Sequence, residues 1–294
     1  MCRMVALSFR GEASETARGV LKHLVEASRS DPYLREIAGD SRHCHGYGYV
    51  AALRRKGLWR VVYERFDAEP TLSGEEACEA NLEALDYCVK RLSQTVKDDV
   101  EEAMIVLHSR RTRGEPRGGV AAHPFREELI ITVEDGPELA ELYLSHNGGV
   151  KKDILAAHLG IENYKLYTDS HLYLKYLAKH LEGARYEEAP QLVAQTVSIS
   201  KPLTKSALDL CILLYSPTKA PMLAAASYVA EKNDSARWKY YEPVLIESRG
   251  ITGYISSTIR DLARSQWPEM RFMDGRDGLV VLLKPDMLQI IEVP

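Results

Sequence analysis

Strands at both ends of the chain, with helices between them, predict an α+β or layered α/β fold rather than a repeating βαβ unit. Three observations carry that reading. Residues 2–9 and the uninterrupted apolar run Ala103-Met104-Ile105-Val106-Leu107 have strand length and composition. Between about 150 and 198 the apolar spacing turns helical, giving helices at 150–159, 170–182 and 187–198. From about residue 206 strands return at 207–215, 222–229, 239–247 and 278–283, with one short helix near 256–265.

The remaining elements follow in order. Ala17, Val20, Leu21, Leu24 and Val25 recur at i, i+3, i+4, i+7 and i+8, an amphipathic helix. Asp31-Pro32 opens a second short helix that ends near Gly39. His43 to Leu53 and Leu58 to Phe66 read as a hairpin around Arg54-Arg55-Lys56-Gly57. Ser73-Gly74-Glu75-Glu76 is a capping box that starts a helix carrying Ala77, Leu82, Leu85, Val89 and Leu92. A Gly- and Arg-rich loop at 111–119 follows the buried strand, and Leu129 to Val133 and Leu142 to Ser145 read as further strands. A weak boundary lies near 200–205. Residues 1–294 read as one domain, with a motif-bearing part at 2–200 and a strand-rich remainder at 206–294.

Composition excludes several classes of function. The 294 residues are 45% hydrophobic and 27% charged, an ordinary globular balance. A net charge of −4 leaves no basic surplus for a nucleic acid. No apolar run reaches membrane-span length, and the N-terminus lacks signal-peptide features, so no membrane is expected and the cytoplasm is the expected location. The five cysteines are odd in number and widely spaced, which argues against a disulfide framework and fits a reducing compartment.

The chemistry starts at Cys2, directly behind Met1. Removal of Met1 would leave a thiol and a free α-amine on one residue, a nucleophile with its own base. The plain alternative is a small buried residue at the head of a core strand. Three more polar clusters sit at strand ends or in adjoining loops: His108-Ser109-Arg110, His146-Asn147-Gly148 and Thr168-Asp169-Ser170. Each has a structural reading: Asn147-Gly148-Gly149 as a turn, Asp169 as a helix N-cap, and His108 and His146 as satisfied core-edge histidines. His45-Gly46-Tyr47-Gly48-Tyr49 has glycines where a strand disfavours them, a mark of a bulge or of close approach. Together the clusters supply a thiol, an oxyanion donor, a cation for a carboxylate and an anion for an ammonium.

In their order, Met1-Cys2-Arg3, Gly46-Tyr47-Gly48, His108-Ser109-Arg110 with Thr112 and Gly114, His123-Pro124-Phe125, His146-Asn147-Gly148 and Thr168-Asp169-Ser170 resemble the class II glutamine amidotransferases of stand-alone type. The resemblance spans about the first 180 residues. It implies a four-layer α/β/β/α sandwich of the N-terminal-nucleophile hydrolase type. It makes Cys2 the nucleophile, Asn147 and the Gly148 N–H the oxyanion hole, Arg110 the carboxylate ligand and Asp169 the ammonium ligand. Thr112, His108 and Tyr47 would complete the substrate site, with no metal and no cofactor. The implied reaction is hydrolysis of the γ-amide of glutamine or a γ-glutamyl small molecule through a thioester. Ammonia would go to a separate synthase subunit or be released.

Departures from the pattern are Arg111 after Arg110, Thr112 only two positions on, Ala121-Ala122 before His123, and His171 after the Thr-Asp-Ser stretch. They favour a relative of glutamine, such as a γ-glutamyl amide or peptide. The competing readings are a catalytically silent γ-glutamyl-binding or scaffold subunit, and a metalloprotein using His43, Cys44 and His45.

Overall fold

The computed structural model describes residues 2–68, 72–97, 99–112, 114–242, 244–275 and 278–292. Met1, on which the amine of Cys2 depends, lies outside them, as do residue 113 of the Arg-rich loop and residue 243 of the strand expected at 239–247.

Strand β1 (Cys2–Arg10) leads into helices α1 (Ser14–Arg29) and α2 (Pro32–Ala38). The hairpin β2 (Tyr47–Arg55) and β3 (Leu58–Phe66) is followed by α3 (Gly74–Thr95) and β4 (Glu102–Arg110). A second hairpin, β5 (Phe125–Val133) and β6 (Gly136–Val150), precedes α4 (Lys152–Leu159), α5 (Asp169–Leu181) and α6 (Ala189–Ser200). Then come β7 (Thr204–Tyr215), β8 (Met222–Ala226), α7 (Ser235–Tyr241), β9 (Val244–Ser248) and β10 (Ile251–Ile255). The last elements are α8 (Ser257–Gln266), β11 (Arg271–Asp274), β12 (Val280–Lys284) and β13 (Met287–Ile291).

Local chemistry sets the boundaries. Asp31 caps α2 by accepting from the Tyr33 and Leu34 amides, Pro32 opens the helix, and Gly39 closes it in the left-handed region. The Ser73–Glu76 capping box starts α3. Asp234 caps α7 by accepting from the Ala236 and Arg237 amides, so residues 239–241, expected to open a strand, are the end of a helix. The strand of that stretch begins only at Val244. The separate strands expected at 129–133 and 142–145 are the inner parts of one long hairpin.

Two antiparallel sheets result. One has seven strands in the order β11-β9-β10-β1-β4-β2-β3, and the other six in the order β13-β12-β8-β7-β6-β5. Strands after residue 205 enter both sheets, with β10 beside β1 and β7 beside β6. The sheets pack through an apolar layer that includes Met4, Ala6, Val106, Tyr143 and Leu213. A second apolar cluster joins the seven-stranded sheet to α1 and α3 through Val5, Leu7, Val20 and Val89. A third joins the six-stranded sheet to α5 and α6 through Leu142, Leu177 and Val193.

The four-layer α/β/β/α expectation is corrected by this architecture. The molecule is β-rich, both sheets are open, and the helices do not form two continuous outer layers. On the seven-stranded sheet, β3 exposes Leu58, Val62 and Phe66 at its edge. On the other sheet Ile130 and Leu139 are exposed. Helices α2 and α7 pack through their own cluster, Leu34, Val229, Tyr240 and Tyr241, beside the N-terminal end of β1.

The cysteine expectation is also corrected. Cys44 and Cys78 form a disulfide with a Cα–Cα distance of 4.8 Å, leaving Cys2, Cys88 and Cys211 as free, buried thiols. No helix among the described residues is long and apolar enough to cross a membrane.

Candidate functional site

Strand alternation decides which side chains can meet, because successive residues point to opposite faces. On β1, Met4 and Ala6 face the opposite sheet, while Val5, Leu7 and Phe9 face the helices. Cys2 therefore belongs to the inter-sheet face and Arg3 to the other. On β4, Met104 and Val106 lie between the sheets, which places His108 and Arg110 there too. Tyr143 on β6 and Cys211 and Leu213 on β7 do the same for Asn147 and Asp209. Register brings these positions level: Cys2 pairs with Arg110 and Met4 with His108, and in the other sheet Asn147 pairs with Asp209.

Cys2 is held at three points. Its backbone N–H donates to Asn147 Oδ1 at 2.8 Å. Its carbonyl accepts from the Tyr240 hydroxyl at 2.9 Å. Its Sγ lies 3.8 Å from the Arg111 carbonyl, a long thiol contact. Burial alone would push the thiol up, but the positive chain terminus and His108 outweigh it and hold Cys2 at about 5. Behind Asn147, its Nδ2 points to Asp209 Oδ2 at 3.4 Å, and Ser227 Oγ donates to Asp209 Oδ1 at 3.0 Å. Burial pushes Asp209 well above the usual carboxylate range.

A pocket of about 330 Å³ opens over Cys2. Arg110, Thr112, Gly148 and Asp169 line it together with Cys2. Arg110 is buried, donates to the Pro116 carbonyl at 2.9 Å, and makes no ion pair among the described residues. Burial lowers its pKa from the ordinary guanidinium value. Asp169 opens α5, where Thr168 rather than Asp169 is the N-cap. Its Oδ2 accepts from the Val150 amide at 3.0 Å and its Oδ1 from the Ser170 amide at 2.7 Å. The helix N-terminus further stabilises that negative charge. Gly148 has φ +145, and a Cβ there would overlap the Ala207 carbonyl, so only glycine fits.

The two histidines that sequence treated alike are built differently. His146 is satisfied: Nδ1 meets Ser170 Oγ at 2.9 Å and Nε2 meets the Ala207 carbonyl at 3.0 Å. His108 is fully buried, and neither of its ring nitrogens has a hydrogen-bond partner of normal geometry among the described residues. The same holds for His123, whose ring centroid lies 4.3 Å from that of His108. The ligand atoms of Cys2, His108 and His123 all lie within 4.8 Å of one another.

Tyr47 does not reach the pocket. Its side chain has the parity of Tyr49 and Ala51 and packs on the helix side of the sheet, where it contacts Phe66 and donates to Glu64 at 3.2 Å. Gly48 lies opposite His108, and the close approach it permits is by the His123 carbonyl. The His43-Cys44-His45 metal reading falls. Cys44 is in the disulfide, His43 is bound to Asp31, and His45 Nδ1 accepts from the Thr112 amide at 3.1 Å.

Several residues of the site were missed from sequence. Arg3 forms a bidentate pair with Asp31, at 2.6 Å through Nε and 3.0 Å through Nη2, and lies 4.1 Å over the Tyr240 ring. His43 Nε2 and Thr258 Oγ1 also bind Asp31, each at 2.7 Å. Asp209 had a legible signal, a lone carboxylate in the apolar strand Ala207-Leu208-Asp209-Leu210-Cys211. Tyr240 and Tyr241 were hidden inside the misread strand at 239–247. In comparisons with known proteins, the chain matches no family model and no curated protein.

Proposed function

We propose that the protein is a thiol-dependent amide hydrolase acting on glutamine or a γ-glutamyl small molecule, with Cys2 as nucleophile. One observation carries the reading: Cys2, a buried cation without an ion pair among the described residues (Arg110) and a helix-terminal carboxylate (Asp169) line the same pocket. Among the charged residues on this pocket, which also include Arg111, Glu115, Lys205 and Arg237, Arg110 and Asp169 offer a cation and an anion that complement an amino acid's carboxylate and ammonium. About 330 Å³ lies at the small end of ligand pockets, the size of such a substrate.

In the proposed reaction, processing before Cys2 frees its α-amine. The amine takes the thiol proton, and Sγ attacks the γ-carbonyl carbon. The C–N bond breaks, the amine's proton leaves with ammonia, and a γ-glutamyl thioester remains on Cys2. Water then adds to the thioester, releasing the γ-carboxylate and restoring the thiol. Gly148 and Asn147 are the proposed oxyanion donors. Thr112 lines the pocket and is proposed to border the substrate, whereas His108 is fully buried beside Cys2 and does not line it. Ammonia is released, or handed to a separate synthase subunit if one binds over the pocket.

A second reading has its own support. Asn147 Nδ2 points to Asp209, and Asn147 does not line the pocket, so one oxyanion donor is turned away from the substrate. That arrangement suits a catalytically silent γ-glutamyl-binding subunit.

Ammonia release from glutamine and from γ-glutamyl amides separates the two. It is measured on protein whose intact mass places Cys2 at the N-terminus, beside a Cys2→Ala variant. The hydrolase reading expects a loss of at least about 10³-fold in the variant. Equal rates in both proteins would sink it, and substrate binding without turnover in either would support the silent subunit.

A further inference from the structure

The buried ring nitrogens of His108 and His123 need an explanation. The two residues are 0% and 3% exposed, their rings meet edge to face, and beyond the contact by which His108 helps hold the Cys2 thiol low, no described residue partners either of them in a normal hydrogen bond. A buried polar atom without a partner costs about 1–3 kcal/mol, so such groups in a native core signal a water, an ion or a functional role. The third member of the cluster is the Cys2 sulfur, with all three ligand atoms within 4.8 Å of one another.

We propose that Cys2, His108 and His123 form a binding site for a thiophilic divalent cation of the zinc type, and that its occupancy silences Cys2. One thiolate and two imidazoles form a donor set that zinc and cobalt(II) accept, whereas magnesium and calcium require oxygen. Tetrahedral bonds of ~2.0–2.3 Å hold ligand atoms roughly 3.3–3.8 Å apart. With its ligand atoms within 4.8 Å of one another, the cluster must contract by up to about 1 Å to close on the ion. Three protein ligands leave a fourth position, and it faces the pocket that Cys2 and His123 line.

The frame holds the ligands in place. Cys2 is fixed at its N–H and carbonyl by Asn147 and Tyr240. His108 sits inside the paired strand β4. His123 is braced by the Phe125 ring at 4.7 Å and by the close packing of its carbonyl on Gly48. Metal coordination would use the sulfur lone pair that attack on a carbonyl requires, so bound cation and nucleophile exclude each other. The silencing half of the proposal rests on the hydrolase reading; the binding half does not.

The test is titration of chelator-treated, full-length protein with cobalt(II), read by absorbance. One equivalent should produce a near-ultraviolet thiolate-to-cobalt charge-transfer band. Cys2→Ser should abolish the band, and His123→Ala should weaken cobalt binding by at least about tenfold. In unmutated protein, one equivalent of zinc should protect Cys2 from iodoacetamide, mapped by peptide mass, which keeps the test independent of variant folding. No charge-transfer band, a band that survives Cys2→Ser, or no zinc protection of Cys2 would each overturn the site. If cobalt and zinc bind as expected but the metal-free protein releases no ammonia, the hydrolase reading fails and the metal site stands. If the metal-free protein turns over and zinc binds without inhibiting, the silencing half fails alone.

Discussion

Cys2 and Arg3 are neighbours in the chain and face opposite sides of β1, and the two sides are finished differently. On the Arg3 side every charged group has a partner, and His43 Nδ1 alone of that network has none among the described residues. The guanidinium is paired with Asp31, capped by the Tyr240 carbonyl and stacked on the Tyr240 ring, and Asp31 is further bound by His43 and Thr258. On the Cys2 side Arg110 keeps one backbone hydrogen bond, His108 and His123 have none among the described residues, and Asp169 turns a carboxylate to the pocket. A closed polar network contributes position, and an open one is available for a ligand. The first face anchors the strand end; the second is left incomplete among the described residues.

The largest expected effect breaks the closed side. Asp31→Ala leaves Arg3 as a fully buried charge without its carboxylate, and should destabilise the fold by ~3–5 kcal/mol in denaturant unfolding. Cys2→Ser, one residue from Arg3 but on the open face, should change stability by no more than about 1 kcal/mol. Equal losses in the two variants would erase the distinction between the faces.

Next in size is the open side's own cation. Arg110→Gln removes the proposed carboxylate ligand without creating a buried unpaired charge. Loss of a charge-assisted hydrogen-bonded contact of ~1.5–3 kcal/mol corresponds to roughly 10–100-fold in kcat/KM for a γ-glutamyl substrate. The loss should appear mainly in KM, with unfolding little changed. An unchanged KM would remove Arg110 from the substrate site. Arg3→Gln should show the reverse pattern, lost stability before lost binding.

How much of this contrast was legible in the sequence follows from period and distance. The continuous apolar runs Met4-Val5-Ala6-Leu7 and Met104-Ile105-Val106-Leu107 identify buried strands, and the two-residue period of a strand then fixes that Cys2, His108 and Arg110 share a face once the register is known. The resemblance implies a site role for Tyr47, yet its parity sends it to the helix side. Register and lateral order were not legible, because β1 pairs with β10 some 250 positions away and β10 is five residues long with a glycine in its middle. The extent of helical cover was not legible either. The exposed β3 face alternates apolar and polar residues much as a half-buried strand would. The Cys44–Cys78 bond escaped because an odd cysteine count hid one pair among three free thiols. Asp31-Pro32 marks a helix start in the sequence, and nothing there shows that the Asp31 carboxylate, besides capping that helix, anchors Arg3.

Acid should dissect the closed side in two stages. Burial holds His43 at about 4, below its ordinary 6.5, because Arg3 already neutralises Asp31 and a second cation there would be uncompensated. Between pH 6.5 and about 4 the unfolded chain takes up a proton at His43 that the folded chain refuses. Stability therefore falls as pH falls through that window, and this contribution is complete above it. Asp31 is held well below its ordinary 3.8 by Arg3 and His43, so its contribution is lost only at still lower pH. His43→Gln should reduce the slope of the first stage in denaturant unfolding measured across pH, the remainder coming from His45, His123 and His146, which burial also holds low, and leave the second. A first stage of unchanged slope would show that His43 is not the group that resists protonation.

The smallest expected effect tests a residue that serves both faces. Tyr240 lies under the Arg3 guanidinium with its ring and holds the Cys2 carbonyl with its hydroxyl. Tyr240→Phe keeps the ring and removes only the hydrogen bond, so it should cost about 1 kcal/mol in stability. Turnover should fall by no more than about tenfold, because the Cys2 amide remains bound to Asn147 and the register to Arg110 is set by the strand. Tyr240→Ala also removes the aromatic packing and the support of Arg3, and should cost ~3–5 kcal/mol. If Phe is as damaging as Ala, the hydroxyl on Cys2 dominates and the two faces are coupled through Tyr240. If Phe is mild and Ala severe, the ring carries the anchoring role and the open face depends on the closed one only for its position.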